Sequence, residues 1–241
     1  MQGDFRFLTI MGIIRFSLTA SYVRPLRIGI ESARANLVPM LILQLLAAAL
    51  VVAYHVSDGL RDVLAAVAGW HERWCWLSAF LSQGFFCGLL PGLFLAFHRL
   101  IRPSRLALTI LAQVVWCGTF GVACNELFRL MAAVLGDSPD WPVVLTKAAI
   151  DQFVWTVVVI APANAVFFFW LGRDFSFARV KRDWPRPFFR RMVLPNLIPN
   201  WIVWIPVSLA VFSFPFPLQI HVNGIVCTFW TLMCLQIGRR T

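Results

Sequence analysis

Along the 241 residues, long apolar runs alternate with short charged breaks. The runs lie near 37–54, 75–97, 106–124, 148–171, 193–213 and 218–237, and each roughly meets the ~20 mostly apolar residues needed to cross hydrocarbon. The pattern predicts an all-α, polytopic transmembrane helix bundle of about six spans, within a range of four to six. Its parts are a basic N-terminal interfacial segment, 1–36, and a transmembrane helical domain, 37–241. Within the former, 5–22 reads as an interfacial helix ended by Pro25. Residues 57–73 read as a short amphipathic helix on the far side, beside an aromatic belt of Trp70, Trp74 and Trp76.

Polar and small positions refine the spans. Gly84, Gly88 and Gly92 are four apart and share a face suited to close helix packing, and Pro91 predicts a kink. The third run holds Gln113, Gly118 and Gly121 and can continue helically past Glu126 and Arg129 to Leu135, before a turn at 136–140. The fourth starts after Lys147 and carries Asp151, Gln152 and Asn164, with Lys147 and Asp151 spaced to pair along the helix. The run 193–213 holds Pro195, Pro199 and Pro206, and Pro215 and Pro217 follow it, so it reads either as a kinked span or as a re-entrant segment.

Charge orients this frame. The segments 1–36, 98–105, 172–192 and 238–241 carry seventeen Lys/Arg, whereas 55–74, 125–147 and 214–217 carry four. Cytoplasmic loops attract basic residues, so both termini are expected on the cytoplasmic side. Residue content is 60% hydrophobic and 13% charged, with mean hydropathy +0.76, which is too few charges to cover a soluble domain. The net charge of +10 reads as topology signal and lipid contact, not nucleic-acid binding. Arg179, Lys181, Arg182, Arg186, Arg190 and Arg191 form the densest basic run and are expected at anionic lipid headgroups. The six cysteines form no CxxC pair and the four histidines no metal-ligand spacing, so neither a metal nor another cofactor is expected. No GxSxG, HExxH or phosphate-binding Gly loop is present, and Asp151 has no obvious His or Ser companion; the expectation is a non-enzyme. A bacterial inner membrane and a mitochondrial inner or peroxisomal membrane all fit the charge asymmetry.

The region 147–232 resembles the Mpv-seventeen/PMP-twenty-two family of small peroxisomal and mitochondrial inner-membrane proteins, as a distant member, organellar or bacterial. The resemblance is carried by Lys147 with Asp151-Gln152, by Phe167-Phe168-Phe169-Trp170-Leu171-Gly172 before a basic loop, by Asn200-Trp201-Ile202-Val203-Trp204 near Pro206, by Phe212 to Gln219 including Pro217, and by Trp230. Ser208 and Val211 stand where the family carries Gln and Asn, and His221 where it carries Arg. Residues 103–140 look like an insertion supplying another span, and members of the family usually have four. The resemblance implies a channel-like pore for small solutes.

On that reading Asp151 lines the pore and sets a preference against anions, with Gln152 and Asn164 as further polar lining. The alternative for Asp151 is a structural pair with Lys147 or with another helix's polar group. Asn200, Trp201, Trp204, Pro206 and Pro217 form an interfacial and kink motif that either anchors the helix or lines a cavity. Gln44, Gln83 and Gln113 either face one polar lumen or make packing contacts. A competing function is a non-conducting membrane scaffold or assembly factor, whose glycine face and basic loop bind partner helices and lipid. A third is an intramembrane enzyme using Asp151 or His221. Self-association into a homo-oligomer is compatible with each.

Overall fold

A computed structural model describes residues 37–99 and 103–237. The expected interfacial helix at 5–22, with the rest of 1–36 and 238–241, lies outside the described residues. Among those described there are helices and turns and no strands: α1 (Leu37–Val56), α2 (Asp58–Phe97), α3 (Pro103–Leu135), α4 (Trp141–Leu171), α5 (Phe177–Asp183), α6 (Leu194–Phe212) and α7 (Phe216–Ile237). Three of them, α2, α3 and α4, are long and apolar enough to cross a membrane. A fourth candidate pairs Phe189–Leu197 with Asn200–Phe212 across a 53° bend.

Residues 57–73 and 75–97 abut in α2 as two helices across a kink at Trp74, where φ is −129° and ψ is 35°. Ser57 starts this helix, its hydroxyl accepting from the Leu60 N–H at 3.3 Å. The span expected from Lys147 begins instead at Trp141, with Pro142 in its first turn, where a missing N–H costs little.

Prolines shape the bundle through a shared device. Wide, π-helical turns occur at Gly84–Leu89, Ile150–Ile160 and Phe189–Val193, and each runs directly into Pro91, Pro162 or Pro195. In every case the residue before the proline sends its N–H five residues back: Leu90 to Phe85, Ala161 to Thr156 and Leu194 to Phe189. A proline ring clashes with the carbonyl four residues earlier and offers it no donor. Widening the turn moves that carbonyl aside, so the helix continues through the proline.

The lost donors are replaced from neighbouring helices. In the wide register Pro91 would face the Phe86 carbonyl, and Thr228 of α7 donates to that oxygen at 2.7 Å. Pro206 sits inside α6, where its missing N–H would have met the Ile202 carbonyl four residues back. Gln44 of α1 donates its side-chain Nε2 to that oxygen at 2.7 Å.

Glycines set the central contact. A Cβ on Gly88 would stand 2.6 Å from Val114 Cα, and one on Gly118 would stand 2.7 Å from the Phe80 ring, so α2 and α3 touch through backbone. Gly84 and Gly92 meet Val114 and Ile110 of the same α3 helix, so the glycine face is filled from within the chain. The largest apolar cluster joins α3, α4, α6 and α7 through Phe128, Val144, Val207, Phe212, Phe214 and Ile220.

Candidate functional site

Asp151 sits at the start of the widest turn, on the side of α4 that faces α6. Its Oδ2 accepts from Gln152 Nε2 at 2.7 Å and from the Ser208 hydroxyl at 2.9 Å. The second Gln152 Nε2 hydrogen goes to Ser208 Oγ at 2.9 Å. Gln152 Oε1 accepts from Asn200 at 3.4 Å, and the Gln152 backbone carbonyl accepts the Trp201 indole N–H at 3.0 Å. Each of these five bonds uses its own donor hydrogen. Among the described residues, Asp151 Oδ1 has no hydrogen-bond donor, and the residue is half-buried.

Asp151, Gln152, Asn200 and Trp201 therefore meet, from two motifs about fifty residues apart. Ser208, absent from the expected site, supplies the hydroxyl companion, and it recurs two turns after Asn200 on α6. Asn164 does not join them. It accepts the Trp116 indole N–H at 2.9 Å, binding α3 to α4 beside the stacked Trp116–Phe167 rings at 4.4 Å. Thirteen residues of helix separate it from Asp151.

The expected Lys147–Asp151 pair does not form. Lys147, 0% exposed, reaches Asp137 at 3.4 Å, and Asp137 Oδ2 also accepts the Phe216 N–H at the start of α7. Side chains of a helix lean toward its N-terminus, which aims Lys147 at the 136–140 turn. Widening from Ile150 removes the i,i+4 stacking the pair needed. The three glutamines do not share a lumen either: Gln44 serves the Ile202 carbonyl, Gln83 donates to the Ile220 carbonyl at 2.5 Å, and Gln113 is buried against Gly92.

In the kink motif, the bend lies before Trp201, between Leu197 and Asn200, while α6 passes through Pro206 unbroken. Trp204 packs half-buried on the main core, and Pro217 sits in the first turn of α7. The basic run is not a set of free cations. Arg179 binds Asp174 at 2.6 Å and Arg182 binds Asp183 at 3.0 Å. Arg182, with Arg173 behind it, holds the exposed Asp183 carboxyl below its ordinary range. Arg173 itself lies 4.0 Å over the Phe169 ring. Lys181, Arg186, Arg190 and Arg191 lie on the same loop and the turn after it.

A second polar cluster was not anticipated. His71 and His221, 150 positions apart, approach to 3.2 Å between α2 and α7. The sequence signal is a polar stripe, His71, Cys75, Ser78 and Ser82, at helical spacing on one face of α2. His221 and Asp151 do not share a cleft: Asp151 bonds α6, and His221 faces α2. No family model matches the sequence, and no solved structure matches the fold.

Proposed function

We propose that this chain is a multi-pass membrane protein forming a channel-like pore for small solutes, and that it is a distant member of the Mpv-seventeen/PMP-twenty-two family. Six spans with both termini on the cytoplasmic side complete this reading, supported by the seventeen-to-four division of Lys/Arg. The observation that carries it is the Asp151 cluster. A carboxylate within a span is costly, about 2.5–3.5 kcal/mol at a helix centre, and is retained where it has polar partners or water. Here one oxygen is held by Ser208 and Gln152 while the other has no donor among the described residues, which leaves it open to a passing solute or cation. Asn200 and Gln152 extend the polar strip along α6 and α4. The carboxylate disfavours anions, and the basic loop 172–192 stands on the inner side.

The competing reading is a non-conducting scaffold in which the same cluster only joins α4 to α6. Its glycine-face docking site is already filled by α3, which leaves the basic loop as the remaining support. Single-channel recording of the purified protein in planar bilayers, with Asp151→Asn beside it, separates the two. Discrete conductance whose cation preference falls in the variant supports the pore. A silent bilayer with folded, inserted protein, or anion-selective conductance indifferent to the substitution, overturns it.

A further inference from the structure

The His71 cluster has the layout of an activated thiol. Cys75 Sγ lies 3.6 Å from His71 Nε2, one turn away on α2. On the far side of the ring, His71 Nδ1 is 2.7 Å from Ser78 Oγ and 3.2 Å from His221 Nε2. The Ser78 hydroxyl hydrogen is directed to the Cys75 carbonyl at 3.0 Å. Ser78 therefore accepts from His71, which puts the ring hydrogen on Nδ1 and leaves the Nε2 lone pair facing the thiol. Asn125 of α3, 0% exposed, donates its Nδ2 to Cys75 Sγ at 3.1 Å, and its Oδ1 is buried with no partner. A base on one side and an N–H donor on the other are what a sulfur needs to act as a nucleophile.

The surroundings indicate what it attacks. Cys75 is half-buried and lies beside the Trp70/Trp74/Trp76 belt. Leu77 and Leu81, one turn apart, form an outward apolar stripe with Trp74 at the kink before them, each about half exposed. An alkyl chain attached at Cys75 can lie along that stripe.

We propose that Cys75 is an acyl-acceptor thiol that takes a long-chain acyl group from an acyl thioester, with His71 as its base and His221 as a positioning residue. His71 Nε2 takes the thiol proton. Cys75 Sγ bonds the acyl carbonyl carbon, and the carbon–sulfur bond of the donor breaks. The departing thiolate then takes the proton from His71. One thioester replaces another, so no oxidant or reductant is required. This inference stands independently of the pore reading.

The test uses the full-length protein in nanodiscs with alkyne-tagged palmitoyl-coenzyme A, read by fluorophore attachment. The expected result is one hydroxylamine-labile label per chain, lost in Cys75→Ser and formed about a hundredfold more slowly in His71→Gln. The rise of labelling rate with pH flattens in His71→Gln and shifts its midpoint in His221→Asn, which a merely structural role would not produce. Peptide mapping of labelled wild-type protein reads the site without any variant, placing the acyl group at Cys75 and not Cys87 within the fragment 74–99. Label on another cysteine, no label on folded protein, or an unchanged rate and pH profile in folded His71→Gln overturns the proposal.

Discussion

Replacing Gln44 with Leu tests whether side chains from neighbouring helices complete the proline-interrupted backbone. The substitution removes the 2.7 Å bond to the Ile202 carbonyl and leaves that oxygen with no donor, because Pro206 has no N–H to give. An abandoned carbonyl costs about 1–3 kcal/mol. Interhelical hydrogen bonds within membranes average about 0.6 kcal/mol and reach about 1.7. Gln44 and Ile202 both face partly outward, and a leucine in place of Gln44 gains apolar contact, so the net loss should be about 1 kcal/mol. The decisive measurement is a double-mutant cycle with Pro206→Ala, followed by reversible unfolding in mixed micelles. The alanine restores an N–H four residues after Ile202, so Gln44→Leu should cost markedly less in that background, with a coupling of about 1 kcal/mol. Equal cost in both backgrounds would falsify the account and reduce Gln44 to a surface residue.

Three further outcomes follow from the packing. Gly88→Ala should lower stability by about 2–3 kcal/mol in the same assay, because its Cβ meets the Val114 backbone at 2.6 Å and not a side chain that can swing away. Asp137→Asn leaves the buried Lys147 ammonium without its carboxylate and should cost about 2–4 kcal/mol, whereas Lys147→Met should be near neutral; the reverse order would show that Asp137 acts only as the cap of α7. Thr228→Val should cost about 1 kcal/mol by exposing the Phe86 carbonyl, with Thr228→Ser close to wild type; equal losses in thermal scans would refute the hydroxyl's role.

How much of this was legible in the sequence depended on whether the signal was local. Apolar runs located the helices, and the 73/75 boundary bracketed Trp74, the one break in the first part of α2. The extension of the third run to Leu135 and the turn after it followed from polarity and Gly-Asp-Ser-Pro chemistry alone. The glycine spacing announced close packing but not its partner, since periodicity gives a face and not what covers it. Asp151 and Gln152 stood out as polar residues in an apolar run. Ser208, which completes their network, is an ordinary helix residue until the bend of α6 brings it to α4. The Lys147–Asp151 pairing failed because spacing arguments assume 3.6 residues per turn, an assumption that lapses at Ile150. His71 carried no signal of its own and His221 stood out only as a departure from the family pattern and a candidate for intramembrane chemistry; their meeting depends on how α7 returns against α2.

The three wide turns also bear on how the chain tolerates change in length. A π-type turn holds one more residue than the α-helix that would replace it, and that residue is a phase offset of about 100° taken up locally. Deleting a residue within Ile150–Ile160 can therefore be absorbed by tightening the turn, which keeps both flanking faces on their neighbours provided Pro162, whose ring needs the wide turn, is replaced as well. The same deletion a turn earlier, in Trp141–Ala149, would rotate Val144 away from the core and Lys147 away from Asp137. Deletions among homologous chains should thus collect immediately upstream of positions 91, 162 and 195 and coincide with loss of the proline there, inside segments that look from hydropathy like uninterrupted spans.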